Sequence, residues 1–178
     1  MKYTITLLIL LAFLNANAQD EKTQGLFYKI SVASTLALNE NFTIGNDDGE
    51  TLINPSALFI NNTLGFRLNE KSSIGLNLEY NWHSRQGLHF LPVYLSFRQV
   101  IFEYEDNLFI RGGYGRLLNI STDFEKGTFY KVGFGFQIFD EDYRNSFLIG
   151  LDFNRKRFGF QQLEKISSVS VFVEFGVF

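Results

Sequence analysis

Apolar and polar residues alternate with a period of two along most of this chain, and the last run shows the rule most openly. Val169, Val171, Val173, Phe175 and Val177 are apolar, while Ser170, Glu174 and Gly176 between them are polar or minimal, with Phe172 the exception. Successive side chains of an extended strand point to opposite faces, so such a run predicts a strand with two different sides. The same rhythm recurs upstream. Leu26, Tyr28, Ile30, Val32, Leu36 and Leu38 alternate with Lys29, Ser31, Ala33 and Thr35. After a long polar loop over Asn39 to Pro55, Leu58, Ile60, Leu64, Phe66 and Leu68 alternate with Asn61, Thr63, Gly65 and Arg67. A tight turn at Asn69 to Ser72 leads to the cleanest run, Ile74, Leu76, Leu78, Tyr80 and Trp82 against Gly75, Asn77, Glu79, Asn81 and His83.

In the fourth run Val93, Leu95 and Phe97 oppose Tyr94, Ser96 and Arg98. The apolar parity changes between Leu88 with Phe90 and Val93, and Pro92 cannot donate to a ladder, so a bulge is predicted at Leu91-Pro92. Leu108, Ile110, Gly112 and Tyr114 then oppose Arg111, Gly113 and Gly115. Tyr130, Val132, Phe134, Phe136 and Ile138 oppose Lys131, Gly133, Gly135 and Gln137. Phe147, Ile149, Leu151 and Phe153 oppose Gly150, Asp152 and Asn154, and a loop from Arg155 to Lys165 leads into the last strand. The pattern is all-β, with eight strands in four hairpins and no amphipathic helix. A chain that ends inside a strand leaves a raw edge unless the sheet closes, so an antiparallel up-and-down barrel is expected.

Two eight-stranded barrels fit this alternation. A soluble lipocalin-like barrel turns its apolar face inward around a ligand, whereas a transmembrane barrel turns it outward into lipid. The less apolar face carries Lys29, Arg67, Glu79, Arg98, Arg111, Lys131, Asp152 and Glu174 together with many glycines. Charges of both signs and small residues suit a narrow lumen. The apolar face is aromatic at both ends, with Phe66, Phe97, Phe136, Phe147 and Phe175 at one and Tyr80, Trp82, Tyr114, Tyr130 and Phe153 at the other. Two aromatic belts around an aliphatic band match the two interfaces of a bilayer, and the transmembrane barrel is preferred.

The N-terminus changes the compartment. Lys2 precedes an apolar stretch from Ile5 to Leu14, and Ala16-Asn17-Ala18 has the form of a cleavage site. This reads as a signal peptide over 1–18, followed by a short leader over 19–25 and a barrel domain over 26–178. The 21 Phe among 178 residues strengthen the strand reading, and the absence of Cys excludes disulfides, thiolate metal sites and a lipid-anchored Cys. A formal net charge of −3 gives no reason to expect a nucleic-acid partner.

The signal peptide, Leu91-Pro92-Val93-Tyr94-Leu95, Gly112-Gly113-Tyr114-Gly115 and the final Phe178 together resemble the small eight-stranded outer-membrane β-barrel proteins of gram-negative bacteria, the OmpA-like and OmpX-like group. The resemblance covers Leu26 to Phe178. It implies an outer-membrane location with both termini in the periplasm, and recognition of Phe178 by the outer-membrane assembly machinery. Gly176 and Glu174 depart from the family's terminal register, in which the apolar series shares the parity of the last residue. Short periplasmic turns would then hold Glu70, Glu103, Glu105, Asp106, Asp140, Glu141 and Asp142 against Lys71 and Arg144. The outer rim would hold Arg85, Arg116, Lys126, Arg155, Lys156, Arg157 and Lys165.

Candidate chemistry is sparse. His83 and His89 flank the second outer loop, where facing imidazoles would offer two metal ligands without a placed third. His83-Ser84 invites a lipid-hydrolase reading, but neighbouring strand residues point to opposite faces. Asp47-Asp48-Gly49-Glu50 lacks the ligand spacing of a calcium loop. Catalytic, cofactor and metal sites are therefore all assigned as none. Arg155-Lys156-Arg157 is the best functional patch, expected to contact outer-membrane lipid and lipopolysaccharide. The expectation is a monomeric, non-enzymatic outer-membrane barrel with a structural or surface-contact role. The alternatives are a lipid A-modifying enzyme, a narrow channel and a soluble ligand-binding barrel.

Overall fold

A computed structural model describes residues 25–38, 53–84, 86–103, 107–140 and 145–177. The expected signal peptide, the Asp47–Glu50 cluster and Phe178 lie outside the described residues. Nine strands are present among the described residues: β1 (Gly25–Leu38), β2 (Ile53–Arg67), β3 (Ser72–His83), β4 (Leu88–Phe90), β5 (Pro92–Glu103), β6 (Asn107–Leu117), β7 (Gly127–Phe139), β8 (Asn145–Phe158) and β9 (Glu164–Val177). Short β4 and long β5 lie in line against β3, so the wall has eight staves. Every stave pairs antiparallel with its sequence neighbours, and β1 pairs with β9 from Tyr28↔Val177 to Thr35↔Ser170. That last pairing closes the barrel and removes its long free edges.

The wall is inside out relative to an ordinary soluble protein. In β9, Ser170, Phe172 and Glu174 are buried, while Val169, Val171, Val173, Phe175 and Val177 are exposed on the outside. The same split holds around the barrel, and residues such as Leu95 (68 % exposed) and Val132 (63 %) stand on an outer face of almost unbroken hydrocarbon. The register of the last strand is thereby set: the apolar series ending at Val177 faces out, and Glu174 faces in.

Three features differ from the sequence reading. The predicted bulge at Leu91-Pro92 is an interruption without an inserted residue. Asn81↔Phe90 on one side and Leu78↔Val93 on the other keep one register with β3. The parity change arises because Phe90 is an apolar residue that points inward. The actual register shifts lie at Thr35/Leu36 and at Val100/Phe102. Secondly, β2 begins at Ile53 rather than after Pro55, continuing the ladder with the end of β1. Thirdly, β8 and β9 run through most of the expected Arg155–Lys165 loop. Arg155↔Ser167 and Phe158↔Glu164 remain paired, and only a tight turn with a 3-10 segment at Phe160–Gln162 separates the strands. A backbone ladder does not need apolar side chains, so it continues where the alternation has already faded.

The free edge of β4 is covered by the 118–126 loop. Leu118 N–H donates to the Leu91 carbonyl (2.9 Å), Glu125 N–H donates to that of His89 (3.4 Å), and Phe124 packs beside Tyr80 and His89.

Candidate functional site

The barrel interior is built by the inward parity of all eight staves, and its centre is a chain of ion pairs. Glu174 on β9 accepts from Lys29 Nζ (3.0 Å) on β1 and Arg111 Nη1 (3.0 Å) on β6. Arg111 also grips Asp152 on β8 through Nε (2.9 Å) and Nη2 (2.7 Å), a two-point contact that fixes its plane. Lys131 on β7 pairs with Glu79 on β3 and lies 3.6 Å from Asp152. Glu79 further accepts from Tyr94 Oη (2.8 Å) and Asn81 Nδ2 (3.0 Å). One connected network thus ties β1, β3, β5, β6, β7, β8 and β9 across the lumen. Pairing of this kind offsets the cost of holding charge away from bulk water. Arg98 bonds Gln137 and Ser73 Oγ and lies over the Phe109 ring, and Arg67 lies over that of Phe139. A small, partly open pocket of about 30 Å³ lies beside Lys29, Asn77, Arg98 and Glu174, with room for only a few waters.

Aromatic rings fill the lumen around this network, a feature the sequence reading missed. Phe90, Tyr94, Phe129 and Phe158 pack together with Leu117 toward the loop end, and Phe59, Val100, Phe109, Leu148 and Phe172 form a second cluster that runs from beside His83 down toward the turn end. Their signal was parity: Phe59, Phe109 and Phe129 sit on the polar side of their strands. The Arg111 guanidinium lies 3.7 Å from the Phe172 ring centroid, so the fully buried aromatic residue of β9 also stacks on the ion network.

The Arg155-Lys156-Arg157 rim patch requires correction. Lys156 is fully buried inside, its Nζ 4.4 Å from the Phe59 ring centroid and 3.3 Å from His83 Nε2, with Phe90 and Phe129 nearby. Because Arg155–Phe158 is strand, alternation sends Lys156 in while Arg155 and Arg157 go out. Alternation also separates the histidines. His83 is buried in the lumen, whereas His89 lies outside, where its Nδ1 is 2.8 Å from Tyr80 Oη. The facing pair expected at the second loop is absent, and no cluster of metal-ligating side chains occurs among the described residues. Ser84 Oγ donates to the Ser56 carbonyl (3.1 Å), while His83 is buried beside Lys156.

The outer face carries the two aromatic belts where the pattern placed them: all ten ring residues are exposed on the outside. A few polar side chains, Ser34, Asn62 and Gln99 among them, interrupt the apolar band. Asn62 shares the outward parity of Ile60 and Leu64, and Tyr28 Oη donates to its Oδ1 at 2.5 Å. At the turn end, Glu103 lies 2.9 Å from Lys71 Nζ, and this hydrogen bond holds the Lys71 ammonium above its ordinary range.

These features define a closed, eight-staved antiparallel β-barrel with an apolar exterior and a polar, ion-paired interior, the reverse of a lipocalin-like ligand barrel. Among solved structures, the chain is similar to the N-terminal β-barrel domain of Pseudomonas aeruginosa OprF, with a TM-score of 0.51 and 12 % identity over 85 % of this chain and 96 % of that one. No family profile and no curated protein sequence matches the chain. At that identity the likeness is one of fold.

Proposed function

We propose that this chain is an outer-membrane barrel protein that spans the bilayer with its eight staves and serves a non-enzymatic, structural or surface-contact role. The observation that carries the reading is the largely apolar exterior bounded by two aromatic belts. Water would leave such a surface exposed at high cost, whereas a bilayer's hydrocarbon core covers it. The fold shared with the OprF barrel domain supports the same assignment. The even number of staves puts both ends of the barrel chain on one side, the periplasm, together with the connections from β2 to β3, β5 to β6 and β7 to β8. The loop end then faces outward. Neither Ser84 nor His83 has the partner that nucleophilic catalysis needs, which favours the non-enzymatic reading over a lipid A-modifying one. Membrane fractionation combined with proteolysis of intact cells tests the proposal. The chain should sediment with the outer membrane and be cut only in the loops of the loop end. A soluble chain, or one cut at the opposite turns, would overturn it.

A further inference from the structure

The outer wall is not uniform. Gly112 is the one glycine at an outward position in the middle of β6, and it forms part of the floor of an open depression of about 640 Å³ on the outer face. Phe97, Ile110, Val132, Phe134, Phe153 and Val169 line it. A Cβ built on Gly112 would meet only the Lys131 carbonyl oxygen, at 3.9 Å, so the barrel itself does not require glycine there.

What lies above the hollow is a second, independent observation. Moving one outward step toward the loop end along the paired strands, the row reads Tyr114, Tyr130, Arg155 and Ser167. The next row reads Arg116, Thr128, Arg157 and Lys165. Four cations therefore crown a hydrocarbon hollow, with two tyrosines between. Arg155 Nε is shielded from solvent and has no hydrogen-bond partner within the protein. Strand spacing makes the row from β6 to β9 roughly 14 Å long. That span suits two separated phosphates better than one.

We propose that the hollow over Gly112 and the cations above it form a seat for one lipid of the lipid A class. Its acyl chains fill the hollow, its sugar rests on the Tyr114–Tyr130 step, and its phosphates meet Arg116, Arg155, Arg157 and Lys165. The inference rests on the outer-membrane reading and adds a specific site to it. It also replaces the contiguous Arg155-Lys156-Arg157 patch by outward residues drawn from three strands.

The test uses the full-length barrel, refolded without lipid in neutral detergent and titrated with purified bisphosphorylated lipid A and, separately, with phosphatidylglycerol. Saturable binding of one lipid A per barrel, tighter than phosphatidylglycerol, is the expected result. The combined Arg116→Gln, Arg157→Gln and Lys165→Gln variant should bind tenfold or more weakly, on the order expected for removing three cations beside an anionic lipid. Gly112→Leu should weaken binding by occupying the hollow, whereas Val173→Leu, on the outer face away from it, should not. Equal affinity for the two lipids, or wild-type affinity in either the charge variant or Gly112→Leu, would overturn the proposal. So would a wild-type dimer that Gly112→Leu dissolves, because the occupant would then be a second copy. Fractionation is read separately: a chain absent from the outer membrane refutes the compartment, while the micelle titration reports on the site alone.

Discussion

Single residues in this barrel are under opposite demands on its two faces. Outside, Asn62 tolerates an apolar neighbourhood because Tyr28 Oη satisfies its carbonyl oxygen. Tyr28→Phe should therefore cost about 1–3 kcal/mol in urea unfolding from lipid vesicles, the usual cost of stranding a polar group away from water. The double variant Tyr28→Phe/Asn62→Leu should recover most of that loss, and failure to recover would mean that the hydroxyl acts otherwise. Inside, Asp152 holds Arg111 by two hydrogen bonds and stands near Lys131. Asp152→Ala leaves buried cations short of a counter-charge, and a loss of about 3–5 kcal/mol is expected. A change within about 0.5 kcal/mol, the range of ordinary surface substitutions, would show that the network is not holding the wall together.

At the scale of an element, β6 shows how one strand serves two environments through adjacent glycines. A Cβ on Gly113 would stand 2.8 Å from Tyr94 Cδ2, inside the lumen, while one on Gly112 meets only the Lys131 carbonyl oxygen at 3.9 Å. Gly113→Val must push Tyr94 off its hydrogen bond to Glu79, so overpacking should cost about 1–3 kcal/mol. Gly112→Val should unfold at the same urea concentration as wild type within about 0.5 kcal/mol. The reverse ranking would mean that the two faces of β6 have been misassigned. The break between β4 and β5 belongs to the same scale. Pro92 has no N–H to give, and the Leu91 carbonyl is taken by the Leu118 N–H, so the ladder pauses without losing register.

For the whole molecule, the interior decides permeability. An eight-stranded barrel is just wide enough for side chains to fill. Here the ion network spans the lumen, and two clusters of buried aromatic and aliphatic side chains pack around it. The small pocket beside Lys29 and Arg98, about 30 Å³, has room for only a few waters. Planar-bilayer recording should accordingly give no steady porin-like conductance. A stable open state whose ion selectivity changed with Glu79→Ala would replace the filled-lumen description by a narrow channel.

The period-two alternation by itself determined the number of staves and which residues share a face, because each depends only on the local geometry of an extended chain, and the charges, glycines and aromatic belts on the two faces then showed which one turns inward. It also held the answer for Lys156, whose even position continues Asp152 and Asn154, but the run of three basic residues hid the strand and suggested a rim. Tertiary pairing decided the rest. Whether Arg155–Phe158 was loop or strand depended on partners in β9, and whether His83 and His89 met depended on their opposite parities across one hairpin. The aromatic filling of the lumen and the hollow over Gly112 exist only once non-adjacent strands are laid side by side. Alternation is a property of one strand, whereas which charge meets which, and where the wall is thin, is set by the register between strands.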